Sequence, residues 1–297
     1  MRVLLTGASG FIGGRLLEAL LRDNHRVVAV SRRDTVSKIW TVRHLGKDFA
    51  YALNPSDWEG AVQDIDVVIN AVGILRERGT QRFDPLHHRA PAALFQAAAA
   101  AGVQRIVQIS ALGADEAAVT PYHRSKKAAD DVLLALPVES IIVQPSVVFG
   151  VGGASTAMFT MQARLPLIPL PGRGLQVVQP VHVDDLAEVV TTLATRADAA
   201  REYAGRRIAV VGPEAITLRE FYVRLRRAMG ISSPARFVGI PMGVMRLMAQ
   251  AGKWIPSSPL DPDTLSMLER GSSAPVADTR AILGRPPRGV EAFFSAE

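Results

Sequence analysis

The sequence predicts an α/β protein in which a doubly wound parallel sheet precedes a small carboxy-terminal α+β lobe. Short β-branched runs alternate with longer helical patterns through the first two thirds of the chain, which is typical of βαβ units with right-handed crossovers. The character changes after Phe149, where glycine- and proline-rich stretches begin. We therefore expect one domain over residues 1–150. Residues 151–297 should be a mixed region that completes the sheet and forms the smaller lobe.

Continuous apolar runs mark the strands, because strands covered by helices on both faces do not alternate with polar residues. Longer stretches with a helical apolar period lie between these runs. The predicted strands are Arg2–Thr6, Arg26–Ser31, Phe49–Leu53, Val67–Asn70, Arg105–Ser110 and Ser140–Val143, and the predicted helices are Phe11–Arg22, Ser56–Gln63, Pro85–Ala101 and Tyr122–Leu136.

The last third of the chain carries weaker patterns. A helix is expected from Asp184, a strand over Arg207–Val211, and helices over Thr217–Met229 and Met242–Ala251. Apolar side chains with few charged neighbours are expected to line a substrate site here. They are Met158, Phe159, Met161, Leu165, Leu167 and Ile168, with Met242, Met245 and Met248.

The composition is that of an ordinary globular protein. The 297 residues are 48% hydrophobic and 21% charged, a balance that excludes a wholly disordered chain. No run approaches the ~18 apolar residues of a transmembrane helix, and the glycines near the start argue against a secretory signal. We expect a cytoplasmic protein with no integral membrane segment. The net charge of +6 is scattered along the chain, so no nucleic-acid partner is expected.

The residue types argue against disulfide bonds and metal sites. The chain has no cysteine, which excludes disulfides, thiolate metal sites and cysteine nucleophiles. The adjacent pair His87 and His88 has no third ligand at metal-binding spacing. We therefore expect no metal site.

A glycine-rich turn follows the first predicted strand and precedes the first predicted helix. Its glycines permit a tight turn, close approach of the backbone to a pyrophosphate, and close packing of helix on sheet. The N–H groups at the start of the helix would then face the phosphates. This pattern predicts that residues 1–150 form an NAD(P)-binding Rossmann domain, with Gly7, Ser9, Gly10, Phe11, Ile12 and Gly13 at the cofactor.

The end of the second predicted strand favours NADP(H) over NAD(H). Folds specific for NAD place an acid there to bind the ribose hydroxyls, whereas this chain has Arg32 and Arg33. Two guanidinium groups can bind a 2′-phosphate in bidentate fashion. Asp34 follows closely and keeps NAD(H) possible, and a solvated arginine pair is the structural alternative.

Small residues end the fourth predicted strand, where they leave room for a ribose or a nicotinamide. The segment consists of Asn70, Ala71, Val72 and Gly73. Leu53 ends the third predicted strand and is either an adenine contact or an ordinary core leucine.

Tyr122 and Lys126 are four residues apart and therefore lie on one face of a predicted helix. A phenol with its ordinary pKa of about 10 is a poor base near neutral pH. A nearby ammonium and an oxidised nicotinamide both favour the phenolate, which makes the tyrosine a usable proton carrier. Ser110 ends the fifth predicted strand and completes the candidate catalytic set.

With these motifs in this order, the chain resembles the short-chain dehydrogenase/reductase superfamily, in its extended or atypical NAD-dependent epimerase/dehydratase-like branch. The resemblance covers about residues 1–190 well and the remainder of the chain loosely. It implies that Tyr122 is the acid/base and that Lys126 binds the nicotinamide ribose and tunes Tyr122. It also implies that a loop after the sixth strand lines the nicotinamide, through Pro145, Ser146 and Val148.

Two positions depart from this branch. Its extended members often carry two hydroxyl residues after the fifth strand, of which the second is catalytic, and here Ala111 follows Ser110. His87 stands near the place where an asparagine usually begins the next helix. The pattern from Ser110 to Gly113 is most similar to the subgroup containing the Rossmann-fold accessory subunit of respiratory complex I. Members of that subgroup can bind NADPH without established turnover.

Three functions are therefore predicted. The first is that of an NAD(P)-dependent oxidoreductase, which transfers a hydride between the nicotinamide and a small hydrophobic carbonyl or alcohol. In it, Tyr122 moves the proton and Ser110 holds the oxygen. The second is a non-catalytic NADPH-binding structural or assembly role, with peripheral association with a membrane complex. The third is a nucleotide-sugar epimerase or dehydratase. A homo-oligomer is compatible with each.

Overall fold

The structure is a computed structural model, and it describes residues 1–32, 41–252 and 260–294. These residues divide into two compact units. The first comprises Met1–Gln144 and Leu186–Ile208, and the second comprises Pro145–Asp185 and the described residues from Ala209 onward. The first unit therefore combines the predicted nucleotide-binding segment with a later helical segment.

Strands and helices alternate through the first unit, and most of the predicted elements are found with small shifts at their ends. The helix predicted over Ser56–Gln63 is instead a 3-10 turn over Pro55–Asp57 followed by a short helix over Glu59–Val62. The helix predicted over Pro85–Ala101 begins as a π-helical turn over Asp84–Arg89. Up to Pro145 the regular elements are β1 (Arg2–Thr6), α1 (Phe11–Arg22), β2 (Arg26–Ser31), β3 (Val42–Gly46), α2 (Glu59–Val62), β4 (Val67–Asn70), α3 (Ala90–Ala100), β5 (Arg105–Ile109), α4 (Pro121–Leu134) and β6 (Glu139–Pro145).

After Pro145 the chain forms several further helices and strands, many of the strands only two residues long. They are β7 (Val148–Phe149), α5 (Ala154–Ala163), β8 (Ile168–Pro171), β9 (Val177–Val178), β10 (Val181–His182), α6 (Val183–Thr195), α7 (Ala197–Tyr203), β11 (Arg206–Val210), β12 (Ile216–Thr217), α8 (Leu218–Ala228), β13 (Phe237–Ile240), α9 (Met242–Gly252), α10 (Pro262–Arg270) and α11 (Ala277–Leu283).

Within the described residues, one sheet has seven strands in the order β11–β6–β5–β4–β1–β2–β3. Every pair from β3 across to β6 is parallel. The chain builds outward from β1 to β3 and then returns to the other side of β1 with β4, so the strand order reverses between β1 and β4. A crevice opens beyond the carboxyl ends of the strands at such a reversal. The predicted doubly wound fold is confirmed.

The sheet is held by apolar side chains that project from its strands onto the covering helices. Leu4 and Val68 from adjacent strands belong to one buried cluster with Leu94 of α3 and Leu133 of α4, and each is fully buried. Burial of a side chain of this size contributes ~1.5–3 kcal/mol. The strand ends that carry the candidate site therefore rest on a well-packed base.

The third strand lies earlier in the chain than predicted. It covers Val42–Gly46, and Phe49–Leu53 forms a turn instead. The Asp48 carboxylate stabilises this turn by accepting a hydrogen bond from the N–H of Ala50 at 2.9 Å. The aromatic ring that opens the turn is still buried, because it packs edge-on against Trp58 with ring centroids 5.0 Å apart. The apolar residues of Phe49–Leu53 therefore indicate contact with the core and do not form a strand.

The second unit has its own aromatic core. The ring of Phe149 stacks on Phe293 with centroids 4.7 Å apart, and Phe159 contacts Phe221 edge-on at 5.2 Å. Phe159 and Ile168 were expected to line a substrate site, but both are buried in this core. Other residues expected at that site remain exposed, namely Met161, Leu165, Leu167 and Met248.

A buried carboxylate anchors the end of the described chain within the second unit. Asp185 is fully buried and accepts hydrogen bonds from the Arg285 guanidinium at 2.9 Å and from the backbone N–H of Arg288 at 2.6 Å. The Arg288 guanidinium lies 3.2 Å from the same carboxylate. Two arginines thus satisfy a charge that would otherwise be costly to bury.

No helix among the described residues has both the length and the apolar character needed to cross a lipid bilayer.

Helix α1 packs directly on the turn after β1, and two positions there require glycine. Gly7 has a φ of +71°, and a Cβ at this position would lie 2.8 Å from the Ala71 carbonyl oxygen. A Cβ on Gly13 would lie only 2.0 Å from the Gly7 carbonyl oxygen. At Gly14, in contrast, the nearest atom would be the Ala8 carbonyl oxygen at 3.9 Å. Close approach of helix and turn therefore depends on Gly13.

We expect Gly13→Ala to destabilise the protein by at least ~1–3 kcal/mol, because the added methyl has no space unless α1 moves off the turn. Gly14→Ala adds the same methyl to the next residue of the helix without a clash, so it should be neutral or stabilising by up to ~1 kcal/mol. Urea unfolding of the two variants measures the difference. Equal stabilities would contradict the packing described for α1.

Candidate active site

A row of buried polar side chains crosses the sheet at the carboxyl ends of three strands. Thr6, Asn70 and Gln108 are paired across β1, β4 and β5. The Thr6 hydroxyl donates to the Asn70 amide oxygen at 2.5 Å, and the Asn70 amide nitrogen donates to the Gln108 amide oxygen at 2.7 Å. Asn70 is fully buried. Its side chain, predicted at the cofactor, makes these hydrogen bonds between the strand ends.

The residues that follow β4 reach the surface of the first unit. Ala71 and Val72 are partly exposed and Gly73 is exposed. A Cβ on Gly73 would lie 3.2 Å from the Lys126 ammonium nitrogen, a closer approach than most side chains make. The glycine therefore leaves the space that the lysine occupies.

Lys126 on α4 connects two strand ends through its ammonium group. The side chain is almost fully buried, and its Nζ donates to the carbonyl oxygens of Val72 and Ile109, each at 3.0 Å. Burial lowers the pKa of Lys126 to about 8, although the Asp130 carboxylate opposes the change. An ammonium has three N–H donors, so one remains for an acceptor above the strand ends.

Tyr122 opens the same face of α4. Its ring lies edge-on to Phe83 and His87, with centroid distances of 5.9 and 5.4 Å. Loss of solvation raises the pKa of Tyr122 to about 12, and the Asp130 carboxylate adds to the rise. The sequence predicts a shift towards the phenolate because of Lys126, whereas burial and the Asp130 carboxylate move the pKa of Tyr122 in the opposite direction. Tyr122 is therefore a protonated phenol at neutral pH.

Ser110 is buried at the end of β5, and its hydroxyl donates to the Asp130 carboxylate at 2.5 Å. The sequence assigns this hydroxyl to a substrate oxygen, whereas the structure directs its proton into the protein. Asp130 is the functional candidate that sequence reasoning missed. The available signal was its spacing, because Asp130 lies eight residues after Tyr122 and four after Lys126 on one helix face.

His87 is a buried structural histidine. Its Nε2 accepts a hydrogen bond from the N–H of Ile74 at 2.9 Å, and its Nδ1 lies 2.9 Å from the Ser125 hydroxyl. Because that hydroxyl donates to the Tyr122 carbonyl oxygen, Nδ1 must carry the proton in the neutral ring. Burial, with the Lys126 charge nearby, lowers the pKa of His87 to about 2. His87 therefore links the segment after β4 to α4.

The described residues contain no group of three histidine or acidic side chains placed to bind a metal ion.

The start of α1 fits the diphosphate of a dinucleotide. Gly10 caps the helix without a side-chain hydrogen bond, and the first turn contains no acidic residue. Ser9 and Gly10 are exposed, while Phe11 and Ile12 are partly exposed. The backbone N–H groups of this turn can therefore receive an anionic ligand, which the helix dipole also favours. These residues fit the cofactor that the sequence predicts.

Three further groups of residues are predicted at the cofactor. Arg32 is exposed just beyond β2, whereas Arg33 lies outside the described residues. Leu53 does not end a strand, and it packs half-buried against the core from the turn before α2. Pro145, Ser146 and Val148 belong to the second unit. There the Ser146 hydroxyl donates to the Gln179 carbonyl oxygen at 2.5 Å.

The chain is similar in sequence to several known proteins. The sequence model of the NAD dependent epimerase/dehydratase family matches residues 3–212. A ceramide reductase of Caulobacter vibrioides is 30% identical over 186 residues, which are 62% of this chain and 58% of that protein. The mitochondrial NADH dehydrogenase (ubiquinone) 1 alpha subcomplex subunit 9 of Arabidopsis thaliana is 28% identical over 253 residues, 82% of this chain and 61% of that protein.

The chain spans less than two thirds of the length of these two curated relatives. Among solved structures, MoeE5 in complex with UDP-glucose and NAD superposes with a TM-score of 0.71 at 20% identity, covering 99% of this chain and 96% of that chain. At this identity the likeness concerns the fold.

We expect His87 to make the protein sensitive to acid. The folded-state pKa of about 2 lies below the ordinary value of 6.5, so the unfolded chain binds a proton first as the pH falls. Stability should therefore decrease by ~1.4 kcal/mol for each pH unit below about 6.5. Urea unfolding of His87→Gln across this range should show a flatter pH dependence.

His88→Gln is the matched control, because the neighbouring histidine is half-exposed and pairs with Asp84 at the surface. That variant should keep the acid dependence of the wild-type protein. An unchanged acid dependence in His87→Gln would show that the buried ring is not its source.

Proposed function

The chain belongs to the NAD-dependent epimerase/dehydratase family, and from this membership we propose that it is an NADP(H)-dependent oxidoreductase acting on a hydrophobic carbonyl or alcohol. The observation that carries the proposal is the arrangement of Tyr122 and Lys126 on one face of α4, with the lysine bonded to the ends of β4 and β5. A phenol and an ammonium on one helix face at this edge of the sheet can act in general acid/base catalysis beside a bound nicotinamide.

Reduction is the direction that the site favours. When bound, a reduced nicotinamide would supply the hydride for the carbonyl carbon of the substrate. The Tyr122 hydroxyl gives its proton to the carbonyl oxygen, so that one hydride and one proton convert the carbonyl to an alcohol. Because the pKa of Tyr122 is raised to about 12, this proton is present at neutral pH. Lys126 holds the strand ends and offers its third N–H to a ribose hydroxyl.

The hydrophobic character of the substrate draws support from the relative in Caulobacter vibrioides, whose name describes a reductase of ceramide. The cofactor preference rests on Arg32, which is exposed at the end of β2 where a 2′-phosphate would lie. Both assignments are part of the proposal.

A second candidate function is that of a cofactor-binding structural or assembly protein. Ala111 stands where a catalytic hydroxyl is expected from the family resemblance, and the proton of Ser110 is directed to Asp130. Another relative is a subunit of mitochondrial NADH dehydrogenase. In this role the protein would bind NADPH without turnover and associate peripherally with a membrane complex. The family name also keeps epimerisation of nucleotide sugars as a third candidate.

We expect NADPH to bind more tightly than NADH, because the Arg32 guanidinium can neutralise the 2′-phosphate. Loss of such a charge-assisted contact costs ~1.5–3 kcal/mol, roughly ten- to a hundredfold in affinity. In calorimetric titrations Arg32→Ala should therefore bring the two affinities together. Arg26→Ala provides the control, because Arg26 is exposed at the opposite end of the same strand. Equal affinities in the wild-type protein would reject the NADP(H) assignment.

We expect Tyr122→Phe to remove nearly all carbonyl reduction while NADPH binding persists, since proton transfer of this kind contributes ~10²–10⁴-fold. The assay is NADPH oxidation with a panel of aliphatic ketones, aromatic ketones and quinones, and with UDP- and dTDP-sugars as the comparison. Tyr51→Phe is the control because Tyr51 is 69% exposed. Full activity in Tyr122→Phe would show that this tyrosine is not the proton donor.

Two outcomes of the same panel favour the other candidates. NADPH binding without oxidation by any carbonyl supports the structural role, and co-purification with a membrane complex would strengthen it. A rise in thermal stability with a nucleotide sugar alone supports the epimerase.

A further inference from the structure

Asp130 is a fully buried carboxyl group beneath the candidate active site. It continues the helix face that carries Tyr122 and Lys126 and receives the hydrogen bond of Ser110 at 2.5 Å. Its other carboxylate oxygen is buried without a hydrogen-bond partner among the described residues. A buried carboxylate normally needs a full set of donors. This one has a single neutral donor.

The charged groups around Asp130 do not offset its burial completely. Lys126 and the β11 residue Arg207 favour the carboxylate, and the neighbouring Asp131 disfavours it. Arg207 is itself paired with Asp131. Two other titratable groups near Asp130 carry no charge at neutral pH. Tyr122, on the same face of α4, is a protonated phenol, and the His87 imidazole that contacts its ring is neutral.

The two protonation states of Asp130 have opposite consequences for Ser110. An ionised carboxylate can only accept, so the single O–H of the serine points inward. A protonated carboxyl group can donate its own O–H to the serine oxygen, which releases the serine O–H for an acceptor beyond the strand ends. The same two oxygen atoms can thus be joined by a hydrogen bond of either polarity.

We propose that Asp130 is a positioning residue whose protonation state decides whether the Ser110 hydroxyl donates into the protein or towards a substrate carbonyl oxygen. The inference rests on the proposed function, because it is the reduction of a carbonyl that needs a donor at this place. It also assigns to Ser110 the contact that Ala111 cannot make. Carbonyl reduction is then fastest where Asp130 is protonated.

Ionisation of Asp130 falls within the physiological range. Burial raises the pKa of Asp130 to about 7, against the hydrogen bond from Ser110 and the charges of Lys126 and Arg207, which lower it. The unfolded chain has an ordinary aspartate that ionises near pH 4. Because the folded-state value is the higher one, its stabilising contribution is complete below about pH 4 and is lost as the pH rises through 7.

The first experiment follows thermal unfolding against pH for the wild-type protein and for Asp130→Asn. The amide of the variant donates to Ser110 at every pH, as the protonated acid does, and cannot ionise. Relative to this variant, the wild-type melting temperature should therefore fall between about pH 4 and pH 7. Parallel curves for the two proteins would overturn the proposal.

Asp131→Asn is the matched control for charge. It removes one aspartate from the next position of α4, where the side chain is half-exposed and pairs with Lys127 and Arg207. This variant should keep the wild-type shape of the curve. Ser110→Ala serves if Asp130→Asn fails to fold. Without the serine hydrogen bond the Asp130 ionisation should move to higher pH, and an unmoved midpoint would overturn the proposal.

The second experiment measures kcat for carbonyl reduction across the same range. Wild-type kcat should fall about tenfold per pH unit above about pH 7, as expected for one essential protonated group. Asp130→Asn should lack this ionisation, so any fall in kcat that remains in the variant comes from deprotonation of Lys126, whose pKa burial lowers to about 8 in the wild-type protein. Ser110→Ala should be slow throughout. The KM for NADPH should not change, because Asp130 is buried below the strand ends. A falling limb in Asp130→Asn identical to that of the wild-type protein would overturn the proposal.

The two experiments separate this inference from the reaction on which it depends. If the wild-type protein reduces no carbonyl, the proposed function fails. The unfolding curves still decide the protonation of Asp130, since they require neither substrate nor cofactor.

Discussion

The candidate site depends on one interaction, the bonding of the Lys126 ammonium to the carbonyl oxygens of Val72 and Ile109. The Val72 oxygen belongs to the segment that follows β4, and the Ile109 oxygen belongs to the last residue of β5. Parallel strands have no hairpin to hold their ends in place. The lysine supplies that connection from α4. Gly73 makes room for it, and Asp130 lies one helical turn further along the same face. Tyr122, Lys126 and Asp130 thus share the helix face that is bonded to the strand ends.

The sequence was sufficient for features that depend on local chain geometry. The strand, glycine turn and helix from Arg2 to Arg22 are found as predicted, because tight turns and helix packing limit which residues are possible there. Tyr122 and Lys126 share a helix face for the same reason. The sequence predicts the third strand at the wrong residues. Phe49 is buried because it packs against Trp58, and a buried turn shows the same apolar sequence pattern as a buried strand.

Contacts between residues distant in the chain could not be predicted. The bond from Ser110 to Asp130 joins a strand end to the third turn of a helix, and no periodicity connects the two. The burial that raises the pKa of Tyr122 is likewise a property of the assembled unit. The residue types indicate which side chains can transfer protons or bind ligands. The acceptor to which each of them donates its hydrogen bond depends on packing. Asn70 illustrates the point, because its hydrogen bonds to Thr6 and Gln108 on the neighbouring strands could not be read from the sequence.

The salt-bridged Asp185 limits how the chain could be shortened. Deleting the residues from Arg285 onward would leave this fully buried carboxylate without its two arginine partners. Breaking a buried ion pair from one side costs ~3–5 kcal/mol, a large part of the stability of an ordinary domain. A truncated protein would be expected to misfold in the expressing cell. Crystallographers trimming the chain should therefore keep this segment.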